Sequence, residues 1–378
     1  QNYGGIQMNL YWIGARQWDI YDNEMFSGSI TRYGKDYGSH YSFCNNEVTN
    51  DFNEYMDAKL HQIVNVDDDA FFMFANEKNA YQFGKDIFEK SICINPLHII
   101  ESMNDKIFTR NFFSDCVDTP NSILIHSKSC MNYKFINDIF NKRYSSFVLQ
   151  EANGSGGIRS YYLSSNYTPQ IPPDISYMLV TPYFDKNVPI NVHIITSDKS
   201  YKILPPSVQI IINRFKYSGS DFIAYSDLPN QIKSKVFLCA EKIAQKIISI
   251  GAKGIFGIDF LVLNNEVIFL ECNFRYQGSS FLLNKGLIDA GYPSIFEMRY
   301  NAFYNNLANI PDNIYYTAIP LSSFRRTKWN ENITLQNPVE IIATNNTEFA
   351  SPDNYLRYEI FNTSIIRSIE KQEVQNLY

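Results

Sequence analysis

The apolar residues of this chain recur with two different periods, which predicts a protein that mixes helices and strands. The clearest helix is expected at residues 232–250, where Lys and Glu separate apolar residues that lie three or four positions apart. Gly251 follows this run and is expected to end the helix. Two short apolar runs, residues 260–263 and 267–270, flank Asn264-Asn265 and predict a β-hairpin with a two-residue turn.

The first hundred residues alternate between predicted strands and helices, a pattern that is typical of a small α/β layer domain. Strands are expected at residues 8–13 and 70–75, and helices at residues 53–63 and 79–90. Gly14-Ala15-Arg16 is expected to form a loop. A stretch rich in Tyr, Ser and Gly, roughly residues 27–46, is expected to be irregular and to cover a site.

The middle of the chain is predicted to contain mainly strands, which is the pattern of a domain built around sheets. A helix is expected at residues 105–115, and strands at residues 147–150, 158–163, 178–181, 190–196 and 201–204, the last two paired as a hairpin. Residues 311–378 show only weak strand patterns.

Composition narrows the class of protein. The chain has 378 residues, 45% of them hydrophobic, which is enough for packed cores in two or three subdomains. The net charge of −6 and the pI near 5.5 argue against a general nucleic-acid-binding protein. No apolar run is long enough to span a bilayer, and the N-terminus lacks the regions of a signal peptide. We therefore expect a cytoplasmic protein with neither nucleic acid nor membrane as a partner.

Polar residues occupy every second position where the predicted hairpin leaves its apolar run. Asp259 enters the first strand, and Glu271, Asn273, Arg275 and Gln277 leave the second. Asp259 and Glu271 lie on adjacent strands and can face each other, while alternate positions of one strand share a face. Two carboxylates and an amide are hard oxygen ligands of the kind that bind Mg²⁺, and an arginine beyond them can bind a phosphoryl oxygen. The alternative is a solvated strand end with an ordinary salt bridge.

A glycine-rich turn, Gly154-Ser155-Gly156-Gly157, joins two predicted strands and offers backbone N–H groups to an anion. It differs from a P-loop, because no Gly-Lys-Ser/Thr follows. It also differs from a dinucleotide-binding fingerprint, because a strand rather than a helix comes next. The alternative is a flexible turn without a ligand.

The order of these features resembles the ATP-grasp superfamily over roughly residues 100–285. The resemblance implies a fold of the α/β (α+β) class, an ATP-grasp fold that follows an N-terminal α/β domain. It divides the chain into an N-terminal substrate-side domain, a small ATP-grasp subdomain with the glycine-rich flap, a metal-binding and catalytic subdomain and a C-terminal segment, at residues 1–103, 104–186, 187–310 and 311–378.

The resemblance also assigns roles to residues. Lys106, in Asn104-Asp105-Lys106, resembles the lysine that reaches the nucleotide phosphates, and Arg275 resembles the catalytic arginine that steadies an acyl phosphate. Magnesium ligands are expected at Asp259, Glu271 and Asn273. The nucleotide is expected to contact the flap, the segment between the subdomains and one further strand, at Lys106, Gln150, Gly154, Ser155, Gly156, Gly157, Arg159, Thr181, Tyr183, Phe184, Asp185 and Gln209.

The chain departs from the family pattern at two positions. Gln150 stands where the family usually has a second lysine, and Arg159, just after the flap, is the candidate that would supply the missing charge. Thr181 stands where the segment between the subdomains commonly begins with an acidic residue, and Asp185 is the candidate for the ribose contact.

The resemblance implies an ATP- and Mg²⁺-dependent ligase, with Mn²⁺ as an alternative metal. Such an enzyme activates a carboxylate as an acyl phosphate and joins it to an amine, releasing ADP and phosphate. Two other functions stay open: an ATP-grasp enzyme with another acceptor, as in thioester formation or a kinase, and a non-catalytic nucleotide-binding module, which the loss of the lysine at Gln150 favours. The scattered histidines show no nucleophile–base pair, and His193, in an apolar strand, is expected to be structural.

The substrates are less well determined. The carboxylate could belong to an amino acid, a peptide or a carrier-bound acid, and a homodimer stays open. The aromatic stretch at residues 33–43, with Arg32 and Lys35, could line the substrate site, and so could Arg325 and Arg326 by binding a substrate carboxylate. The alternative for each of these groups is ordinary surface charge.

Overall fold

The structure is a computed structural model. It describes residues 2–3, 6–7, 9–20, 24–33, 46–130, 132–153, 157, 159–304, 306–326, 337–343 and 357–366. The expectations for Lys35 and for the rest of the aromatic stretch after Tyr33 lie outside these residues, as do those for Gly154, Ser155 and Gly156.

The N-terminal part contains a parallel three-stranded sheet with the order β4-β3-β5. Its strands and helices, together with a short preceding hairpin, are β1 (Asn2–Tyr3), β2 (Ile6–Gln7), β3 (Asn9–Arg16), β4 (Gly28–Tyr33), α1 (Asn46–Val66), β5 (Ala70–Phe74) and α2 (Lys85–Glu89). The predicted helix at residues 79–90 is instead a 3₁₀ turn, Glu77–Gln82, followed by α2.

Two predictions for this sheet are wrong. Gly14-Ala15-Arg16 is not a loop, because β3 continues through Arg16 and pairs there with Tyr33 of β4. Residues 28–33 are not irregular, because they form β4 itself. Both segments gain their regular structure from a parallel partner that is distant along the chain, and a local hydrophobic pattern does not report such pairing.

The next part forms an antiparallel four-stranded sheet with the order β6-β9-β7-β8. It comprises α3 (Leu97–Asn104), α4 (Lys106–Phe113), β6 (Ile123–His126), α5 (Ser127–Cys130), α6 (Tyr133–Ile139), β7 (Ser146–Gln150), β8 (Ser160–Ser164) and β9 (Tyr177–Pro182). The glycine-rich turn joins β7 to β8, which pair from Ser146 with Ser164 to Gln150 with Ser160.

A larger sheet with the order β15-β14-β10-β12-β13-β16-β18-β17, to which β11 adds at β10, occupies the rest of the described chain. The elements in this region are β10 (Val188–Thr196), β11 (Tyr201–Ile203), β12 (Ser207–Ile212), β13 (Lys216–Asp221), α7 (Phe222–Ser226), α8 (Asn230–Ser249), β14 (Gly254–Leu263), β15 (Glu266–Asn273), α9 (Ser280–Asp289), α10 (Ile295–Tyr304), β16 (Ser322–Arg326), β17 (Glu340–Ala343) and β18 (Arg357–Phe361). The strands of the C-terminal segment thus join the same sheet as the hairpin β14–β15.

The large sheet is buried on both faces. The apolar face of α8, at Ile232, Val236 and Ile243, packs with Ile194 of β10 in one buried cluster. The neighbouring Ile195 belongs to a second cluster, which includes residues of α9 and α10. Because successive strand residues point to opposite faces, this alternation shows helices on both sides of the sheet. Among the described residues, no helix is long and apolar enough to cross a membrane.

Candidate active site

The hairpin β14–β15 places two carboxyl groups opposite each other. Asn264 and Asn265 have φ values of 50° and 67°, and this left-handed turn pairs Leu263 with Glu266. Continued without interruption, that register would pair Asp259 with Leu270. A β-bulge between Asp259 and Phe260 shifts the register, so Asp259 pairs with Glu271 instead. The bulge therefore brings the two acidic side chains to the same face.

Amide groups surround the Asp259 carboxylate. Its Oδ1 accepts hydrogen bonds from Asn191 Nδ2 at 2.7 Å and Gln209 Nε2 at 3.0 Å, and its Oδ2 accepts one from Asn273 Nδ2 at 3.0 Å. Burial and the facing Glu271 raise the pKa of Asp259 to about 7. The negative charge at this point is therefore only partly compensated by the protein's own groups.

Lys106 compensates the second carboxylate. Its Nζ lies 2.7 Å from Glu271 Oε2, and its side chain is only 7% exposed. Burial opposes ionisation of Glu271, but the charge and hydrogen bond of Lys106, together with the charge of Arg275, outweigh it and lower the pKa of Glu271. Lys106 is the first residue of α4, where the side chain of Asp105 accepts hydrogen bonds from the backbone N–H groups of Ile107 and Phe108. This cap fixes the point from which Lys106 reaches the hairpin.

The segment after β15 is fixed by contacts of Gln277. Its Oε1 accepts a hydrogen bond from Asn191 Nδ2 at 2.6 Å, and its backbone carbonyl accepts one from Arg16 at 3.1 Å. The side chain lies directly over Gly257, because a Cβ atom at that position would be 1.4 Å from Gln277 Nε2. Gly257 pairs with Asn273 across the hairpin, so a residue without a side chain leaves the room that Gln277 occupies. Arg275 lies two residues before Gln277, so the contacts of Gln277 restrict where the Arg275 segment can lie.

Gly257→Ala is expected to displace Gln277 and shift the Arg275 segment. For the ligase activity that the sequence resemblance implies, carboxylate-dependent ADP release should fall by roughly 10- to 100-fold, because Arg275 needs precise alignment. The measurement is a coupled ADP assay with Mg²⁺ and a pool of carboxylates and amines. Gln277→Ala provides the control, because in that background a Cβ at residue 257 has no side chain to displace. An equal loss from Gly257→Ala in both backgrounds would contradict this account.

Most of the side chains around Asp259 and Glu271 line one cavity of about 610 Å³. Its wall includes a large part of the residues expected to contact the nucleotide and metal, namely Lys106, Gln150, Gly157, Thr181, Tyr183, Phe184, Asp185, Gln209, Asp259, Glu271, Asn273 and Arg275. The four-stranded sheet β6-β9-β7-β8 and the large sheet meet at this cavity. Gly157 has a φ of +77°, and a Cβ there would lie 2.0 Å from the backbone oxygen of Phe215. Gly157 therefore packs closely against the turn between β12 and β13.

The structure places Arg159 elsewhere. Its guanidinium donates to Glu151 at 3.0 Å and to Asp174 at 2.8 Å, and Arg159 does not belong to the cavity wall. Gln150 does line the cavity, and its Nε2 donates to Ser160 Oγ at 3.2 Å. The charge that Gln150 lacks is thus not supplied by Arg159 in this conformation.

Comparison with known proteins identifies the middle of the chain. A family model described as an ATP-grasp domain matches residues 103–279. This segment is an ATP-grasp domain. The matched residues run from the end of α3 through the hairpin to the Arg275–Ser279 segment. They include most of the cavity wall, whereas Arg16 and Arg325, which also line it, lie outside the match.

Solved structures share the fold over almost the whole chain at low sequence identity. The biotin carboxylase domain of 2-oxoglutarate carboxylase from Hydrogenobacter thermophilus, solved with MgADP, ADP and bicarbonate, has a TM-score of 0.63 at 10% identity and covers 97% of this chain and 89% of its own. Biotin carboxylase from Campylobacter jejuni has a TM-score of 0.62 at 12% identity, with coverage of 97% and 90%. N5-carboxyaminoimidazole synthetase from Staphylococcus aureus, solved with ADP, has a TM-score of 0.58 at 12% identity, with coverage of 100% and 99%. No curated protein matches the sequence.

Several residues in and around the cavity were not predicted from the sequence. Arg110 of α4 is buried, and it donates to the carbonyl of Leu270 at 3.1 Å and to Thr181 Oγ1 at 2.8 Å. Its burial, opposed by the charge of Glu271, lowers its pKa to about 10. The Leu270 carbonyl belongs to the bulged part of β15, so Arg110 stabilises the bulge that aligns Glu271. A helical arginine on the same face as Lys106, four residues away, was the available signal.

Arg214 and Asn191 were also missed. Arg214 lies in the β12–β13 turn with a φ of 69°, and its guanidinium carbon is 4.0 Å from the centre of the Tyr162 ring. It lines the cavity together with Phe215 and Gly157. Asn191, next to apolar residues on β10, gives no periodic signal. It is 1% exposed and pairs with Asp259 across β10 and β14.

His193 has a structural environment, as expected. It is 1% exposed, its Nε2 lies 2.8 Å from Ser280 Oγ, and burial lowers its pKa to about 3. Ser280 Oγ also accepts a hydrogen bond from the backbone N–H of Gln277. The neutral imidazole therefore supports the start of α9 behind the Arg275 segment.

Proposed function

We propose that this protein is an ATP- and Mg²⁺-dependent ligase that activates a carboxylate as an acyl phosphate and joins it to an amine. The observation that carries the proposal is the cavity wall formed by Asp259, Glu271, Asn273, Lys106 and Arg275. Transfer of a phosphoryl group requires oxygen ligands for a metal ion together with cationic side chains that neutralise the phosphate charge, and this wall contains both. The structural relatives solved with ADP or MgADP support the choice of nucleotide.

The residues present suit a divalent cation. Asp259, Glu271 and Asn273 offer oxygen ligands that lie together, and burial beside Glu271 raises the pKa of Asp259. The negative charge of Asp259 is therefore only partly compensated by the protein's own groups, which favours a cation. Mg²⁺, or Mn²⁺ in its place, would be held by these three side chains and would neutralise charge on the nucleotide phosphates. Asn191 and Gln209 orient the Asp259 carboxylate for this role.

The remaining steps use the chain's own cations. Lys106 leaves Glu271 and binds the phosphates, and Arg275 stabilises the charge that develops while a carboxylate oxygen attacks the terminal phosphorus. The bond from that phosphorus to the bridging oxygen breaks, and ADP leaves. An amine then attacks the acyl carbon, phosphate departs and the amine loses a proton. Gly157 packs against Phe215 at the cavity. The glycine-rich turn that ends there would exclude water that could otherwise hydrolyse the acyl phosphate.

Arg214 replaces the charge that Gln150 lacks. It lines the cavity with Gln150 and Gly157, whereas Arg159 is engaged by Glu151 and Asp174. The nucleotide base and ribose would then lie along Thr181, Tyr183, Phe184 and Asp185, with Thr181 held by Arg110.

Product analysis tests the reaction type. The protein is incubated with ATP, Mg²⁺ and a pool of amino acids and small carboxylates, and the nucleotides are separated by anion-exchange chromatography. ADP and phosphate that appear only with the pool are expected. AMP and pyrophosphate would mean adenylation and would overturn the proposal. A phosphorylated or thioester product in place of an amide would assign another acceptor to the same site.

A non-catalytic nucleotide-binding module is the second candidate, and Gln150 favours it. Its side chain is uncharged and bonds to Ser160 rather than standing free in the cavity. This function predicts ATP binding without turnover for any carboxylate or amine. Conversion of Gln150 to lysine would then be expected to strengthen nucleotide binding without producing a ligase.

A further inference from the structure

The C-terminal segment contributes one wall of the cavity. Strand β16 pairs with β13, and Gly219 allows the close approach, because a Cβ there would lie 2.0 Å from the backbone oxygen of Ser323. On β16, Arg325 pairs with Tyr358 of β18, so the two side chains share a face. Arg325 lines the same cavity as Tyr217, Gly278 and Ser279. A segment outside the family match thus reaches the part of the cavity wall that follows β15.

Two arginines meet at this wall, and their surroundings differ. Arg16 donates from Nε to Asp19 at 3.0 Å, from one terminal nitrogen to the Tyr358 hydroxyl at 2.6 Å and from the other to the Gln277 carbonyl at 3.1 Å. Its charge is balanced by Asp19, and its N–H groups are used by the protein. Arg16 therefore links the N-terminal sheet to the Gln277 segment and to β18 through hydrogen bonds.

Arg325 differs from Arg16 at its Nε atom. Its Nε is buried and has no hydrogen-bond partner among the residues that the structure describes. The charges of Arg16, Asp19 and Arg325 sum to one net positive charge. Burial makes such a charge costly unless an anion approaches. The charge of Arg325 also acts on Asp19 and Tyr217, where it opposes the rise in their pKa that burial causes. Its guanidinium is therefore close to both groups.

We propose that Arg325 binds a second carboxylate of the substrate, distinct from the carboxylate that ATP activates. This inference rests on the proposed ligase function and gives its substrate class: a molecule with two carboxylates. The single net positive charge of the Arg16, Asp19 and Arg325 group favours a carboxylate, which carries one negative charge, over a phosphate, which carries up to two. The planar guanidinium suits a carboxylate with paired hydrogen bonds.

Binding of matched probes tests the inference. The protein is loaded with Mg·ADP and titrated calorimetrically with glutarate and adipate and with the corresponding monocarboxylates, pentanoate and hexanoate. The dicarboxylates are expected to bind about 30-fold more tightly or better in the unmodified protein, and Arg325→Gln is expected to abolish that preference. Lys216→Gln on the neighbouring strand β13 is the matched control, since it removes an exposed charge and should leave the preference unchanged.

Each outcome separates the two proposals. Two results overturn the inference: equal affinity for mono- and dicarboxylates in the unmodified protein, or a preference that survives in Arg325→Gln. If Mg·ADP still binds in either case, the proposed ligase function is unaffected. Failure to bind Mg·ADP overturns both. A stronger preference for 3-phosphonopropionate than for the dicarboxylates would overturn the carboxylate assignment and indicate a phosphate subsite. Should Arg325→Gln fail to fold, Arg325→Lys tests the same point, because a lysine keeps the charge but loses the paired hydrogen bonds, and the preference is expected to fall about tenfold.

Discussion

Glu271→Gln is expected to lower Mg²⁺-dependent turnover about 1,000-fold or more while the chain stays folded. Gln keeps the size of the side chain but removes one of the two carboxylates that would hold the cation. The pKa of Asp259 should fall, because the charge of Glu271 is one cause of its rise. Lys106 loses an ion pair of 2.7 Å, so the free energy of unfolding should fall by about 1–3 kcal/mol. Steady-state ADP release and a denaturant titration measure the two effects.

Glu266→Gln is the matched control for this substitution. Glu266 begins the same strand β15 and also forms an ion pair of 2.7 Å, with Lys235, but this pair lies on the exposed side of the hairpin turn. Its loss should change turnover less than twofold and stability by less than about 1 kcal/mol. Turnover in Glu271→Gln that matches the control would show that Glu271 does not hold a metal.

Lys106→Met is expected to shift two affinities in opposite directions. Binding of Mg·ATP and its turnover should fall by a factor of about 100 to 1,000 in kcat/KM, because the buried cation next to the phosphates is lost. Binding of Mn²⁺ alone should strengthen, because the ammonium group no longer competes for Glu271 Oε2. The pKa of Glu271 should rise at the same time, since Lys106 is the main group that lowers it. Paramagnetic titration with Mn²⁺ and nucleotide kinetics report the two changes separately.

Lys235→Met is the control here, since it removes the lysine of the exposed pair on the same hairpin. It should alter neither Mn²⁺ affinity nor turnover. A parallel weakening of both Mn²⁺ and Mg·ATP binding in Lys106→Met would indicate a general disturbance of α4 and would contradict the proposed exchange of partners by Lys106.

The hairpin shows what the sequence could and could not determine. Its turn and the facing pair of Asp259 and Glu271 were predicted from the alternation of polar residues, and the structure has both. The prediction did not include the bulge, without which Asp259 would face Leu270. A bulge depends on groups outside the strand, here the guanidinium of Arg110 on the Leu270 carbonyl, and no periodicity within the hairpin reports it.

Long-range pairing explains the other differences. Residues 14–16 contain a glycine and were predicted as a loop, but their parallel partner β4 makes them a strand. The weak strands after residue 311 join the large sheet only because β13 presents an edge to β16. Arg159 was chosen because it follows the glycine-rich turn along the chain, whereas Arg214 is distant in sequence. In the fold, however, Arg214 lines the cavity and Arg159 does not. Sequence patterns reported local structure, whereas partners distant along the chain decided these positions.

The formation of an acyl phosphate is the central claim, and oxygen transfer tests it most directly. The carboxylate pool is labelled with oxygen-18 and incubated with the protein, ATP, Mg²⁺ and the amine pool, and the released phosphate is examined by phosphorus NMR. Attack of a carboxylate oxygen on the terminal phosphorus predicts ADP together with phosphate that carries the heavy isotope. ADP with unlabelled phosphate would mean hydrolysis by water, and label in AMP would mean adenylation; either result would contradict the account.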